Sequence, residues 1–411
     1  MHILTEILFL LIACRLLGEL ASHFKQPRIL GEMVAGILLG PACFNVVIPT
    51  SRLDGIAELS IFLIVISAGL EMDFKQVVGA FRGRQFWGAM FGFVIPFICG
   101  LGLGTLFQLP LMQTFFIALC ISITALPVTI RILQEFGLLN SAVAELSISA
   151  AIVNDILGLL MLGVVLDLSK HSHGSTDFMA VAVPVLIGVV KVLGFAAIVW
   201  GMSRLLFWGS GEGGYIEKGL HRLRALFGRE VIFGVVIFFV LIFGSMSESL
   251  GTHFIVGTFF GALLISNDLM GGQFYQDVEQ TLNSVSAGFL SPVFFGYLGL
   301  LFTWDGFSNP VLLAAVLFVA ISSKILAGFL AGRWLKLSLG ESIGTGIMLN
   351  ARGIMELVVA NLGLQAKLID HDLFSILVIM GMVTTILTPP LFRQFALPRL
   401  RPAGVKTEGN D

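Results

Sequence analysis

Long apolar runs constrain this chain more than any other feature of its sequence. Residues 86–107, 177–200 and 311–332 each approach or exceed the roughly 20 apolar residues that cross a bilayer as a helix. Hydrophobic residues make up 56% of the chain and charged residues only 12%. This is more apolar surface than one water-soluble core can hide. The sequence therefore predicts an all-α polytopic membrane protein.

Polar, Gly and Pro punctuation divides the apolar runs into about thirteen predicted transmembrane helices. Cytoplasmic loops hold the excess of Lys and Arg, and with the N-terminus outside only Arg52, Lys170 and Lys367 fall on the outer side. We expect a multi-pass protein of the cell (inner) membrane with its C-terminus in the cytoplasm. The longest and most basic loop, residues 209–229, is interpreted as a positive-inside anchor between two halves, the alternative being a partner-binding segment.

Two predicted spans carry residues that interrupt a helix. In the fifth span these are Thr124, Pro127 and Thr129, and Pro127 lacks a backbone donor. In the twelfth span they are Asn350, Arg352 and Gly353. Interrupted helices at membrane depth are tolerated only where protein or a wet cavity surrounds them. Because the two spans are seven apart they run in opposite directions, which predicts an inverted-repeat transporter with two discontinuous helices meeting near the midplane.

Four charged residues lie near the middle of predicted spans, where each costs roughly 2.5–3.5 kcal/mol unless it is compensated. They are Asp155, Lys324, Arg352 and Glu356. Half-helix ends carry partial charges, and Asp155 and Lys324 are the predicted acid and base that compensate them. The alternative is a set of structural ion pairs that hold helices together.

A single carboxylate can exchange a proton for a small cation because both neutralise the same charge. Asp155 is therefore the predicted site of both ions, with Asn154 as a neutral oxygen ligand. Thr124 and Thr129 are expected to complete the shell, because oxygen ligands suit hard cations. A divalent metal ordinarily gathers more carboxylates, so the predicted metal at Asp155 is a monovalent cation.

Several sequence blocks resemble the second branch of the monovalent cation:proton antiporter superfamily, which includes plant and fungal cation/H⁺ exchangers. They follow the family's order across almost the whole chain. The blocks are "QPRILGEMVAGILLGP" (26–41), "SAGLEMDF" (67–74), "SITALPVTIRILQEFGLLNS" (122–141), "AAIVNDILG" (150–158), "SSKILAG" (322–328) and "NARGIMELVVANLGL" (350–364).

This resemblance implies a sodium/proton antiporter fold in which two discontinuous helices cross, usually in a homodimer. Its transmembrane domain would cover residues 1–397, with a mobile core around 85–166 and 308–394, a dimerisation part made of the remaining spans, and a short cytoplasmic tail at 398–411. The core is expected to move as an elevator.

The resemblance also implies roles for single residues. Asp155 would carry the ion and the proton, with Asn154 as its partner and Lys324 as the basic residue near the crossover. Thr124 to Pro127 would form the first unwound segment. Arg352 and Glu356 would lie in and after the second break, and Glu71 matches the family's Gly-Leu-Glu block.

The predicted function is exchange of K⁺ or Na⁺ for protons by a secondary active antiporter, with no cofactor, no nucleic-acid partner and no enzymatic activity. Many members of the family carry two adjacent aspartates where this chain has Asn154 and Asp155. One carboxylate predicts electroneutral exchange. The alternative function is a cation channel that uses the same buried polar site. An intramembrane aspartyl protease would need a second aspartate within a span.

Overall fold

The structure, a computed structural model, describes residues 2–72, 74–171, 178–208, 215–228 and 230–400. Within these ranges the chain is helical and contains no strand. Eight helices there are long and apolar enough to cross a membrane, and Phe254–Leu263 and Ile354–Gln365 are shorter apolar helices. The predicted all-α, multi-pass membrane fold is confirmed. The count of thirteen spans stays a prediction, and most of the predicted tail at 398–411 lies outside the described residues.

The α-helices are numbered here in chain order. They are α1 Ile3–His23, α2 Arg28–Leu39, α3 Ser51–Leu70, α4 Phe74–Ala80, α5 Gly83–Leu106, α6 Leu111–Ser122, α7 Leu126–Glu135, α8 Ala142–His171, α9 Phe178–Trp208, α10 Tyr215–Phe227, α11 Glu230–Ser249, α12 Phe254–Leu263, α13 Asn267–Met270, α14 Gly272–Val285, α15 Ser291–Leu300, α16 Pro310–Trp334, α17 Leu339–Met348, α18 Ile354–Gln365, α19 His371–Leu391 and α20 Leu397–Leu400.

The chain forms two compact units, each built from separated stretches of sequence. The first unit comprises residues 1–76 and 159–302, and the second comprises residues 77–158 and 303–411. The predicted core ranges, 85–166 and 308–394, fall largely within the second unit. Their roles as a mobile core and a dimerisation part stay predictions.

In the first unit, α1 packs against α2, α2 against α15, and α11 against α12. One π-helical turn, Ser286–Leu290, joins α14 to α15 without a break in the helix. The sequence predicts a transmembrane span over residues 284–303, and the helix that contains it begins earlier, at Gly272, with turns that are more polar than a membrane span.

The basic segment predicted as a loop at 209–229 contains helix α10. The prediction of a loop was wrong over Tyr215–Phe227 because it weighed the charge of this segment and not the spacing of its apolar residues. Leu220 is buried and Leu223 is half-buried, one turn apart on one side of the helix.

In the second unit, α5 packs against α6 and α16, and α16 packs against α17. The α16–α17 contact needs glycine on both sides, because a Cβ atom on Gly328 would lie 2.5 Å from the Cα of Gly346. Such close backbone contacts are typical of helices packed within a membrane. Since α17 precedes the second interrupted region, this contact fixes that region beside α16.

Candidate functional site

The first interruption separates α6 from α7. Helix α6 ends at Ser122, and Ile123 and Ala125 take extended backbone angles, with ψ values of 147° and 118°. Pro127 lies in the first turn of α7, where its missing N–H costs nothing because a helix leaves its first N–H groups unpaired. The chain thus presents non-helical backbone between two short helices inside an apolar stretch.

The second interruption separates α17 from α18. Helix α17 ends at Met348, and residues 349–353 lead to α18, which starts at Ile354. Asn350 turns its Nδ2 back to donate to the Gly346 carbonyl at 3.2 Å. Gly353 is extended, with φ at −170°.

The two interrupted segments contact each other directly. The Ala125 N–H donates to the Ala351 carbonyl at 2.9 Å. Thr124 Oγ1 donates to the Leu349 carbonyl at 3.3 Å. A Cβ atom on Gly353 would lie 2.7 Å from the Cβ of Ala125, so only glycine fits there without a shift. The two breaks form one buried junction.

Arg352 binds the C-terminal end of α6 across this junction. Its guanidinium donates to the carbonyls of Cys120, Ile121 and Ile123, at 2.8 Å and 3.1 Å for the last two. It also lies 3.6 Å from the carboxylate of Glu356, and both side chains are buried. A cation is favoured at a helix C-terminus and an anion at an N-terminus, and Glu356 stands in the first turn of α18.

Lys324, from the middle of α16, reaches the same place and is fully buried. Its ammonium group donates to the Ser122 carbonyl, to Thr124 Oγ1 at 2.7 Å and to the Gly92 carbonyl of α5 at 3.0 Å. An ammonium group has three hydrogens, and three acceptors receive them. Two cations therefore neutralise the end of α6.

Asn154 and Asp155 lie on α8 and are both buried, with Asp155 3% exposed. Asn154 Nδ2 donates to Thr124 Oγ1 at 3.1 Å and lies 3.5 Å from the Gly92 carbonyl. Within the described part of the chain, the Oδ1 atoms of Asn154 and Asp155 have no hydrogen-bond partner. Buried oxygens of this kind ordinarily receive a hydrogen bond or a cation, so they are acceptors for a proton or a hard cation. Asn350 Oδ1 and both carboxylate oxygens of Glu356 are likewise buried without a hydrogen-bond partner among the described residues, but Glu356 already has Arg352 as its counter-charge.

The threonines differ in what they offer. Thr124 Oγ1 accepts from Lys324 and Asn154 and donates to a carbonyl, so its hydrogen-bonding capacity is used. Thr129 Oγ1 donates to the Ala125 carbonyl at 2.8 Å and keeps acceptor capacity. Glu71 belongs to the first unit, where it caps the C-terminus of α3. Their roles as ligands or supporting charges stay predictions.

The sequence predicted that Asp155 and Lys324 compensate the helix ends. Lys324 does bind the end of α6, together with Arg352, which the sequence did not assign to this role, and Glu356 lies in the first turn of α18. Compensation by Asp155 stays a prediction. The carbonyls of Gly92 and Ser122 were missed because a backbone oxygen has no signature in a sequence. The structure holds no group of three or more His, Cys, Asp or Glu side chains suited to a metal ion within its described ranges.

Two interrupted helices joined beside buried acids and bases define a membrane transport protein with discontinuous helices. The chain belongs to the sodium/hydrogen exchanger transmembrane family, which matches residues 7–394. Members of this family are secondary transporters and not enzymes. The resemblance read from the sequence blocks is confirmed.

The sequences of several known antiporters align with more than 90% of this chain at 26–28% identity. The probable Na⁺/H⁺ antiporter GerT of Bacillus cereus is 27% identical over 95% of this chain and 98% of its own length. K⁺/H⁺ antiporter 1 of Saccharomyces cerevisiae is 26% identical over 93% of this chain. The chain spans about half the length of the plant and yeast relatives, for example 50% of cation/H⁺ antiporter 18 of Arabidopsis thaliana and 45% of the yeast protein.

A solved structure shares the fold. The sodium proton antiporter MjNhaP1 of Methanocaldococcus jannaschii superposes with a TM-score of 0.66 at 17% identity, covering 96% of this chain and 98% of that one. This likeness confirms the antiporter fold.

Proposed function

We propose that the protein exchanges a monovalent cation, Na⁺ or K⁺, for protons across the membrane, and that both ions bind in turn at Asp155. One observation carries the proposal: the Asp155 carboxylate is buried, with an oxygen that lacks a hydrogen-bond partner among the described residues, next to the junction of two interrupted helices. The names of the relatives support both cations, because GerN of Bacillus cereus is a Na⁺/H⁺-K⁺ antiporter and the yeast relative is a K⁺/H⁺ antiporter.

The proposed coupling is competition for one negative charge. A bare carboxylate in a buried site is costly, so the site is occupied by either a proton or a cation when it changes sides. Asn154 is neutral and donates to Thr124, and Lys324 supplies a positive charge held by three acceptors. Because the single carboxylate carries one monovalent cation in one direction and one proton in the other, the exchange is one for one and electroneutral.

The proposed transport cycle is alternating access of the elevator type. Asp155, Lys324, Arg352 and Glu356 all belong to the second unit, so their contacts can stay intact while that unit carries the ion. We further propose a homodimer in the cell membrane with its N-terminus outside. The positive-inside pattern supports this orientation.

Transport by Asp155→Asn tests the site. The assay uses proteoliposomes with a pH-sensitive dye inside. A cation gradient should drive proton flux by the native chain, and the proton flux of the variant should be at least about 100-fold lower. Glu58→Gln is the matched control, since Glu58 is an exposed acid on α3, and it should transport normally. Cation-driven proton flux retained by a folded Asp155→Asn variant would refute the assignment.

Offering Na⁺, K⁺ and Li⁺ separately over a range of pH identifies the cation. Competition predicts that raising the proton concentration raises the cation concentration needed for half-maximal flux. Saturable flux coupled to proton movement supports exchange. Large ohmic currents without proton movement would instead establish the channel alternative.

Asn154→Asp tests the stoichiometry. A second carboxylate beside Asp155 provides a site for a second proton, and exchange of two protons for one cation moves one net charge per cycle, so the exchange should become sensitive to an imposed membrane potential. The native chain should be insensitive. If the native chain already responds to the potential, electroneutral exchange is wrong even though Asp155 remains the carrier.

A further inference from the structure

Helix α10 carries an exposed basic face in the first unit. Lys218, His221 and Arg222 are exposed, while Leu220 on the other side is buried. Positions 218 and 222 are one turn apart and lie on the same side of the helix. We call Lys218 and Arg222 the basic pair.

The contacts of Leu220 fix the depth of α10 relative to the membrane-spanning helices. Leu220 belongs to a buried cluster with Leu70, the last residue of α3, and with Ile232, in the first turn of α11. Both α3 and α11 are candidate spans. Helix α10 packs against α11 and α13, and since its cluster partners Leu70 and Ile232 lie at the ends of their spans, we place α10 at the level of the lipid headgroups.

Interfacial side chains near α10 agree with this depth. Leu226 and Phe227, which end α10, are 75% and 68% exposed. On the preceding helix α9, Arg204 lies over the ring of Trp200 at 5.1 Å, and Trp200 is exposed. Exposed Trp and Arg near the end of a span are typical of the membrane interface.

Arg224 differs from the basic pair and serves as an internal comparison. Its guanidinium lies 5.5 Å from the Phe274 ring and 4.0 Å from the carboxylate of Asp277. An acidic group thus already neutralises this charge, and the residue lines a cavity of about 440 Å³ with Phe274 and Asp277. Lys218 and Arg222 instead face outward.

We propose that the basic face of α10 binds the headgroups of anionic phospholipids. Phosphate groups satisfy exposed Lys and Arg, while Leu226 and Phe227 enter the boundary with the acyl chains. Of the possible occupants, a lipid fits best because exposed apolar and basic side chains stand together at headgroup depth. An acidic soluble segment would complement the charge but not Leu226 and Phe227. The proposal does not depend on which ion the protein transports.

Lipid retention by the purified full chain tests the proposal. The chain is exchanged into nanodiscs of phosphatidylcholine with or without phosphatidylglycerol, and retained lipids are counted by native mass spectrometry after mild detergent extraction. The native chain should retain phosphatidylglycerol in preference. Each basic residue near an anionic surface contributes about a fivefold preference, so Lys218→Gln/Arg222→Gln should weaken the preference by about 30-fold.

A matched control removes the same charge elsewhere. Lys336→Gln/Arg393→Gln neutralises two exposed basic residues of the second unit and should weaken the preference by less than the Lys218→Gln/Arg222→Gln variant does. Equal weakening by the two double variants would show that the preference is not a property of α10. Raising the salt concentration should weaken retention by the native chain and have little effect on the double variant of α10. Since all four residues are exposed, the variants should fold, which size-exclusion chromatography checks.

A second readout examines the apolar end of α10. In Phe227→Trp, brominated phosphatidylglycerol should quench the added fluorescence more than brominated phosphatidylcholine does, after subtraction of the native signal. Equal retention by the native chain and the Lys218→Gln/Arg222→Gln variant would overturn the proposal. So would an acidic peptide that binds α10 and excludes lipid from it.

Discussion

The two interrupted helices solve the same physical problem by opposite means. Each leaves carbonyls unpaired at the end of its first half, where lipid offers no donors. The second break uses only neutral donors: Asn350 binds the Gly346 carbonyl, and the Thr124 hydroxyl and Ala125 N–H of the first break bind the Leu349 and Ala351 carbonyls. The first break has neutral side chains, and cations from α16 and from the second break bind its carbonyls.

The first break therefore depends on the rest of the second unit for its shape. Arg352 binds three carbonyls of the α6 end, and Lys324 binds one more together with Thr124. The second break is held by neutral donors, one of its own and two from the first break. A change at a cationic donor should therefore damage the first break more than a change in packing does.

The largest effect is expected from Arg352→Ala. It leaves three carbonyls of α6 without their guanidinium donor and Glu356 buried without its partner. Removing one member of a buried pair costs about 3–5 kcal/mol, so the free energy of unfolding should fall by about that amount. Denaturant titration in detergent micelles measures it.

A double variant separates the two causes. Arg352→Met/Glu356→Gln removes the buried negative charge as well, so it should recover part of the loss while the carbonyls of α6 stay unsatisfied. Full recovery would mean that the ion pair alone matters. In that case the dependence of the first break on Arg352 would be wrong.

A smaller effect is expected where the two breaks touch. In Gly353→Ala the new methyl group would meet the Cβ of Ala125 at 2.7 Å, and overpacking of this kind costs about 1–3 kcal/mol. Adding Ala125→Gly removes the clash and should restore most of the stability. Gly102→Ala is the control, because nothing lies within 4 Å of a Cβ atom there. If the double variant is no more stable than Gly353→Ala, the two breaks do not pack as described.

Sequence reasoning reached the location of both breaks because their causes are local. Pro127 lacks a donor, and the run through Asn350 to Gly353 is a poor continuous helix. Intramembrane charges were likewise visible, since each is costly unless it has a partner. The antiporter fold followed from blocks of sequence spread along the chain.

The partners of those charges were not predictable. Arg352 binds backbone carbonyls more than 200 residues away along the chain, and every residue carries a carbonyl. The prediction that Asp155 and Lys324 compensate the helix ends rested on side-chain charges alone, without the backbone carbonyls. Helix α10 was not predicted because this segment was interpreted from its basic residues as a loop, and the helical spacing of Leu220 and Leu223 was not considered.

The smallest effect is expected from Thr129, which looks equivalent to Thr124 in the sequence but lies in α7, after the first break. Thr124→Val removes an acceptor of both Lys324 and Asn154, so the free energy of unfolding should fall by about 1.5–3 kcal/mol. Thr129→Val removes a donor to the Ala125 carbonyl, which also accepts the Thr129 N–H, so the loss should be about 0.5 kcal/mol or less. Thr124→Ser keeps the hydroxyl and should lie close to the native chain. Equal losses for the two valine variants in the same titration would show that Lys324 does not hold the first break through Thr124, because of the two threonines only Thr124 accepts a hydrogen bond from Lys324.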